Sequence, residues 1–329
     1  MNNFVLFFSA LIPVVLLCWY IYSKDRIEKE PVGLLLTLLF VGAAVYFPVI
    51  FLENNVIGLI DQMFASEKTH SLSGYAIFNS ERSFAMHSAA CAFGAIALVE
   101  EVTKWLLLFL ITHRNKDFDH LFDGVVYAVF LSLGFAAAEN VFYALRDGWG
   151  TFILRSITSV PGQMIFGVLM GYFYTMWHMY FIASKEEKEL AEAGEIAMDR
   201  PFNSNIWIIL SCVLPIILHG CYSFLHFFTS DIMTIVFYVF LIILYIFCFI
   251  GIYRLSSVDS SDKRIVEKMI KKKYPQLYKS KGKFVVGIKC SWSMSFHCES
   301  ATLSGDICIC FFAIACCFIS DPFLGNYNL

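Results

Sequence analysis

Charge is what this sequence has least of. Only 16% of its 329 residues are Asp, Glu, Lys or Arg, against 58% hydrophobic residues and 34 Phe. Mean hydropathy is +0.67. That balance excludes an ordinary soluble domain and predicts a polytopic membrane protein, because each helical crossing needs about 20 apolar residues. Other absences narrow the class further. There is no HExxH motif, the helical signature of many zinc proteases. No disulfide framework or metal-binding finger is readable from the 11 cysteines. Cys18, Cys91, Cys212, Cys221 and Cys248 lie in apolar runs, where thiols behave as small hydrophobes, and the other six crowd the last 40 residues without finger spacing. The first apolar run, Phe4 to Tyr22, lacks a basic leader and a small-residue cleavage site, so we read it as a span and not as a signal peptide. No inverted repeat of the transporter kind is visible. No nucleic-acid partner is expected.

What is present is an all-α, polytopic transmembrane bundle of about seven spans, at roughly 4–22, 32–52, 86–112, 121–145, 155–182, 205–228 and 231–253. The run at 306–320 is a weak eighth candidate, short of a full span. Two regions follow: a transmembrane domain over 1–255 and a basic tail with a Cys-rich apolar end over 256–329. Lys263, Arg264, Lys268, Lys271, Lys272, Lys273, Lys279, Lys281 and Lys283 place that tail in the cytoplasm by the positive-inside rule. Seven spans then put the N-terminus outside and the 23–31 loop, with Lys24, Arg26 and Lys29, inside. The 54–85 stretch carries only Lys68 and Arg82 as basic residues and suits an outer loop.

Against this apolar background the third span is anomalous. Glu100, Glu101 and Lys104 stand together between Cys91–Val99 and Trp105–Leu110. A charge at bilayer depth costs about 2.5–3.5 kcal/mol on insertion scales. Three in five residues predict a protein-enclosed, wet cavity. Glu100 and Lys104 alone would read as a buried i,i+4 ion pair, but Glu101 lies about 100° further round the helix and is left over. Further polar residues sit in later spans: Glu139 and Asn140 in the fourth, with Phe135 on the face of Glu139, Arg155 and Gln163 in the fifth, His219 and Ser223 in the sixth. Taken singly, Glu139 and His219 read equally well as interhelical hydrogen-bonding groups, and Asn140 as structural glue. Taken together they offer a carboxylate to activate water and an imidazole to share a proton or face an oxyanion. Hydrolysis is the favoured chemistry, with a proton-coupled transporter as the rival.

These residues carry a resemblance. Lys24-Asp25-Arg26-Ile27-Glu28-Lys29-Glu30-Pro31, the Glu100-Glu101-x-x-Lys104 run, Phe135-x-x-x-Glu139-Asn140 and His219-Gly220 occur in the order of the PrsW family. Those are bacterial intramembrane proteases, similar to the CAAX prenyl endopeptidases and their CPBP relatives. The resemblance covers about residues 1–255. It implies a glutamate-dependent endopeptidase of the bacterial cytoplasmic membrane, cleaving a single-span regulatory protein of the anti-sigma-factor type. By position it implies Glu100 as the water-activating base, Glu101 as its partner and Lys104 setting their charge. Glu139 and Asn140 would lie opposite, with His219 completing the site. No cofactor is expected. A zinc-dependent alternative would draw on Glu100, Glu139 and His219.

Two departures stand out. Between Arg155 and Gly171 the family pattern has a histidine where this chain has Gln163, and Ser223 stands where the family often has Asp. Glutamine orients water but does not accept and return a proton at neutral pH. The competing expectation is therefore a membrane-embedded binding protein that holds a substrate-like helix with weakened or no catalysis.

Overall fold

The computed structural model describes residues 2–70, 76–198, 200–257 and 260–279. The apolar run at 306–320 and the six C-terminal cysteines lie outside the described residues. Nearly everything described is helical. Helix α1 covers Asn2–Lys24 and α2 covers Val32–Met63. A small antiparallel hairpin pairs β1 (Lys68–His70) with β2 (Ala76–Phe78). Next come α3 (Glu81–Ala89), a π-helical segment (Ala90–Ala97) and α4 (Leu98–Thr112). Helix α5 is Asp123–Asp147, α6 Trp149–Ile157, α7 Ser159–Glu192, α8 Asn205–His226 and α9 Asp231–Ser257. The short α10 (Asp262–Lys273) and α11 (Gln276–Lys279) follow.

Among the described residues, six stretches are long and apolar enough to cross a membrane: α1, α2, α5, α6–α7, α8 and α9. The 86–112 span of the sequence reading is instead three successive pieces, α3, the π-helix and α4, none long enough alone. The second span also differs. It does not end at residue 52 but continues as helix to Met63. Glu53, Asn54 and Asn55 mimic an exit from lipid, yet Glu53 and Asn54 face an internal cavity and the helix passes straight through them.

Helix α5 is the axis of the bundle. Every residue from Asp123 to Ala136 is buried, as expected of a helix apolar on all sides and enclosed by others. Small residues make the enclosure tight. A Cβ on Gly134 would lie 2.0 Å from the Leu39 carbonyl oxygen of α2, and one on Gly171 of α7 would lie 2.3 Å from that of Gly124 in α5. Backbones approach this closely only where side chains are missing.

At the Lys24 end, polar contacts tie the chain together. The Asp25 carboxylate accepts from the Glu30 amide at 3.1 Å, and Tyr127 donates to Glu30. The amides of Asp119 and His120 donate to Asp123 at 3.0 and 2.6 Å. His120 bridges Ser261, and the Asp262 amide donates to the Asp119 carbonyl at 2.7 Å. These bonds dock α10, whose Ile265, Val266, Met269 and Ile270 are buried in the same core as α5 and α7.

Candidate active site

Helix α4 places Glu100, Glu101 and Lys104 on its buried side, all at most 4% exposed. Three neighbours complete the setting. Lys104 Nζ donates to Glu101 Oε1 at 2.6 Å and to the Gln163 side-chain oxygen of α7 at 2.6 Å. It stands 3.4 Å from Glu100 Oε2 and over the Phe135 ring of α5, 5.0 Å from its centroid. The Gln163 amide in turn donates to Glu100 Oε2 at 2.9 Å. His219 of α8 donates through Nδ1 to Glu101 Oε1 at 2.8 Å, 3.8 Å from Glu100 Oε2. Its ring stacks on Phe166 at 4.6 Å. The bond to Glu101 orients the ring and leaves Nε2 for other partners.

The two adjacent glutamates thus have different surroundings. Glu101 is fully buried; its Oε1 accepts from both Lys104 and His219, while its Oε2 meets no donor among the described residues. Glu100 faces a cavity of about 480 Å³ whose wall also carries Glu53, Glu139, Arg155, Gln163, His219 and Ser223. Across it, Arg155 of α6 pairs with Glu139 of α5 at 2.7 Å, and Arg155 also donates to Ser159 at 2.9 Å. Six of the sequence candidates, Glu100, Glu139, Arg155, Gln163, His219 and Ser223, therefore line one cavity, with Glu101, Lys104 and Phe135 packed directly behind. Asn140 does not join them. It is turned to α1, where its amide donates to the Ala10 carbonyl at 2.8 Å.

Two local features deliver this geometry. The π-helical segment inserts an extra residue per turn just before α4 and so resets which face Glu100 presents; such segments frequently accompany functional sites. Its Phe93 lies against Gly220, where a Cβ would come within 2.1 Å of the ring. The residue after His219 must therefore be small for α8 to reach Glu101.

Residues 30–252 match the family described as PrsW family intramembrane metalloprotease. The chain belongs to the PrsW family. It is 30% identical over 254 residues to Protease PrsW of Oceanobacillus iheyensis, covering 77% of this chain and 95% of that one. It is 30% identical over 222 residues to Protease PrsW of Geobacillus kaustophilus, covering 68% and 80%. With Protease PrsW of Bacillus subtilis it shares 28% over 222 residues, covering 68% and 83%. No solved structure matches the chain. Among the described residues the fold is all-helical apart from the small hairpin, as the sequence predicts, and PrsW proteins are membrane peptidases.

The family description names a metal, and the donor set can be tested for one. Glu100, Glu101 and His219 each bring a ligand atom within 4.8 Å of the others. Glu139, named in the zinc alternative, is instead engaged by Arg155. Within the triad, Glu101 Oε1 already accepts from both Lys104 and His219, at 2.6 and 2.8 Å. A divalent ion there would face the Lys104 ammonium at close range and displace its hydrogen bonds. Zinc sites favour histidine and cysteine donors over such a set. As arranged, the residues do not fit a metal.

Sequence reasoning missed Glu53, Tyr143, Thr158, Ser159, Tyr222 and His226, all on the cavity wall. One signal was available: Ser159 and Gln163 are four apart, so they share a helix face.

Proposed function

We propose that this PrsW-family protein is an intramembrane endopeptidase that hydrolyses a peptide bond of a single-span regulatory protein, with Glu100 as general base. The observation that carries this reading is the division of labour between the glutamates. Glu101 lies behind the cavity with its Oε1 engaged by Lys104 and His219, whereas Glu100 opens onto the cavity beside His219. Glu100 takes a proton from water as the water oxygen bonds to the scissile carbonyl carbon. The carbonyl electron pair moves onto its oxygen, beside the imidazole of His219. The proton then passes to the amide nitrogen as the C–N bond breaks. Lys104 and Glu101 hold His219 and Glu100 in place, and no cofactor takes part.

The α3–π–α4 run over 81–112 is long enough to serve as a seventh crossing. With seven crossings, the basic residues at 24–29 and 263–273 fall on one side, which we assign to the cytoplasm of a bacterial cell, with the N-terminus outside. The cavity then opens among the outer ends of α5 and α8, where Asp147 and His226 lie. An anti-sigma-factor-like protein with one span suits that entry.

The test is cleavage of a fluorogenic single-span peptide by full-length protein in lipid vesicles. Glu100→Gln is expected to lower kcat by about 10²–10⁴-fold with little change in KM, and exhaustive chelation is expected to leave the rate intact. Equal cleavage by wild type and Glu100→Gln rejects the assignment. A second reading is favoured by Gln163, whose amide occupies the place of a proton-accepting imidazole: a helix-binding protein without turnover. Wild type that binds the peptide but cuts it neither as it stands nor as Gln163→His supports that reading.

A further inference from the structure

Of the cavity-wall carboxyl groups outside the mechanism above, Glu139 and Asp147 are paired with arginines and Glu53 is not. Glu53 of α2 and Glu100 of α4 are neighbours on the cavity wall. Glu53 Oε1 is buried, and among the described residues no donor reaches it. Two neighbouring carboxylates repel each other strongly, and such a pair is stable when one member carries a proton.

The surrounding charges lead to the same place. Five carboxyl groups belong to the cavity and its backing: Glu53, Glu100, Glu101, Glu139 and Asp147. The permanent cations are Lys104, Arg155 and Arg146, the last paired with Asp147 at 2.7 Å. Arg155 is engaged by Glu139 at 2.7 Å and Lys104 by Glu101 at 2.6 Å, leaving Glu100 only the longer 3.4 Å contact. The groups that face Glu53 are Glu100 and Lys104 from α4, Glu139 and Tyr143 from α5, and Tyr46 on its own helix. A proton held between Glu53 and Glu100 removes one uncompensated charge from a site at bilayer depth.

We propose that Glu53 is a positioning residue for Glu100: its carboxyl group shares a proton with the Glu100 carboxylate and takes the place of the imidazole that Gln163 does not provide. The inference rests on Glu100 being the general base. At rest the pair holds one proton. It holds two once Glu100 has taken the proton of the attacking water, and one again after delivery to the departing amide nitrogen. Gln163 keeps its Nε2 bond to Glu100 throughout, fixing the orientation of the base.

The experiment uses full-length protein in lipid vesicles, the fluorogenic single-span peptide as probe, and infrared spectra of the same samples without peptide. Glu53→Gln, which preserves shape, is expected to lower kcat by about 100-fold with KM within about threefold. Adding Gln163→His is expected to recover about tenfold or more. In the infrared, wild type is expected to show a protonated-carboxyl carbonyl band that Glu53→Gln and Glu100→Gln both abolish and Glu139→Gln retains. Wild-type kcat in Glu53→Gln, or a band that neither substitution moves, overturns the proposal. Loss of kcat without recovery by Gln163→His overturns the claim that Glu53 takes the place of the imidazole. The infrared measurement needs no turnover, so it decides for a protein that cuts nothing. A band that behaves as expected beside full activity in Glu100→Gln overturns Glu100 as base and leaves the shared proton standing.

Discussion

Lys104 has no exposed surface at all, yet its ammonium group touches Glu101, Gln163 and, at longer range, Glu100. A buried ion is tolerable only where its hydrogens and its charge are both answered, and here both are. Removing one partner strands the others: Lys104→Met is expected to lower stability by about 3–5 kcal/mol, measured as reversible unfolding in mixed micelles. The double variant Lys104→Met, Glu101→Gln is expected to recover part of that loss, because no uncompensated carboxylate remains behind the cavity. At this scale the sequence was informative wherever charge contradicted its surroundings. Glu100, Glu101 and Lys104 stood out because nothing else between His87 and Thr112 is charged. Glu53 did not stand out, because two asparagines follow it and the three together look like a helix leaving the lipid. Asn140 failed in the opposite sense: its neighbour Glu139 points to the cavity, while about 100° further round the helix Asn140 meets α1.

At the scale of elements, the site depends on how α4 and α8 are brought together. Trp105 of α4 donates to Ser211 of α8 at 2.8 Å, and Phe93 settles on Gly220. Gly220→Ala is expected to cost about 1–3 kcal/mol through overpacking and to depress cleavage by moving His219 from Glu101. Phe93→Ala in the same chain is expected to restore part of both, with thermal unfolding and peptide cleavage as the paired measurements. Helix positions were largely legible, since apolar runs of sufficient length dictate them. The π-helical segment was not, because a widened turn has no hydrophobic period of its own and Ala-rich sequence accommodates either geometry. Nor was the continuation of α2 to Met63, which depends on a cavity that only the assembled bundle supplies.

The whole molecule is organised about α5, with the catalytic candidates towards one end and the Asp25–Glu30–Tyr127–Asp123 contacts at the other. Burial pushes the Glu30 carboxyl up to about 7 from 4.5, ahead of any effect of Tyr127, Asp123, Asp25 or Asp117. The folded protein therefore binds this proton more tightly than the unfolded chain does. The stability it contributes is fully present below about pH 4.5 and declines as pH rises to about 7 and just beyond. Glu30→Gln is expected to flatten this part of the stability profile, read as thermal unfolding from pH 4.5 to 8. The sequence pointed to this loop through its resemblance alone, because an alternation of Lys, Asp and Glu looks solvated until Tyr127 and α10 cover it. The charges on α4 also govern how the molecule is made. When α4 emerges from the ribosome, Gln163 and His219 have not yet been synthesised, so its three ionic groups face the bilayer with only one another and Glu53 of α2 for company. Their cost at that moment is several kcal/mol, and it is relieved only after α7 and α8 arrive. Chains that stop short of residue 219 are thus left with a segment that neither lipid nor water suits, the kind of segment that membrane quality control removes.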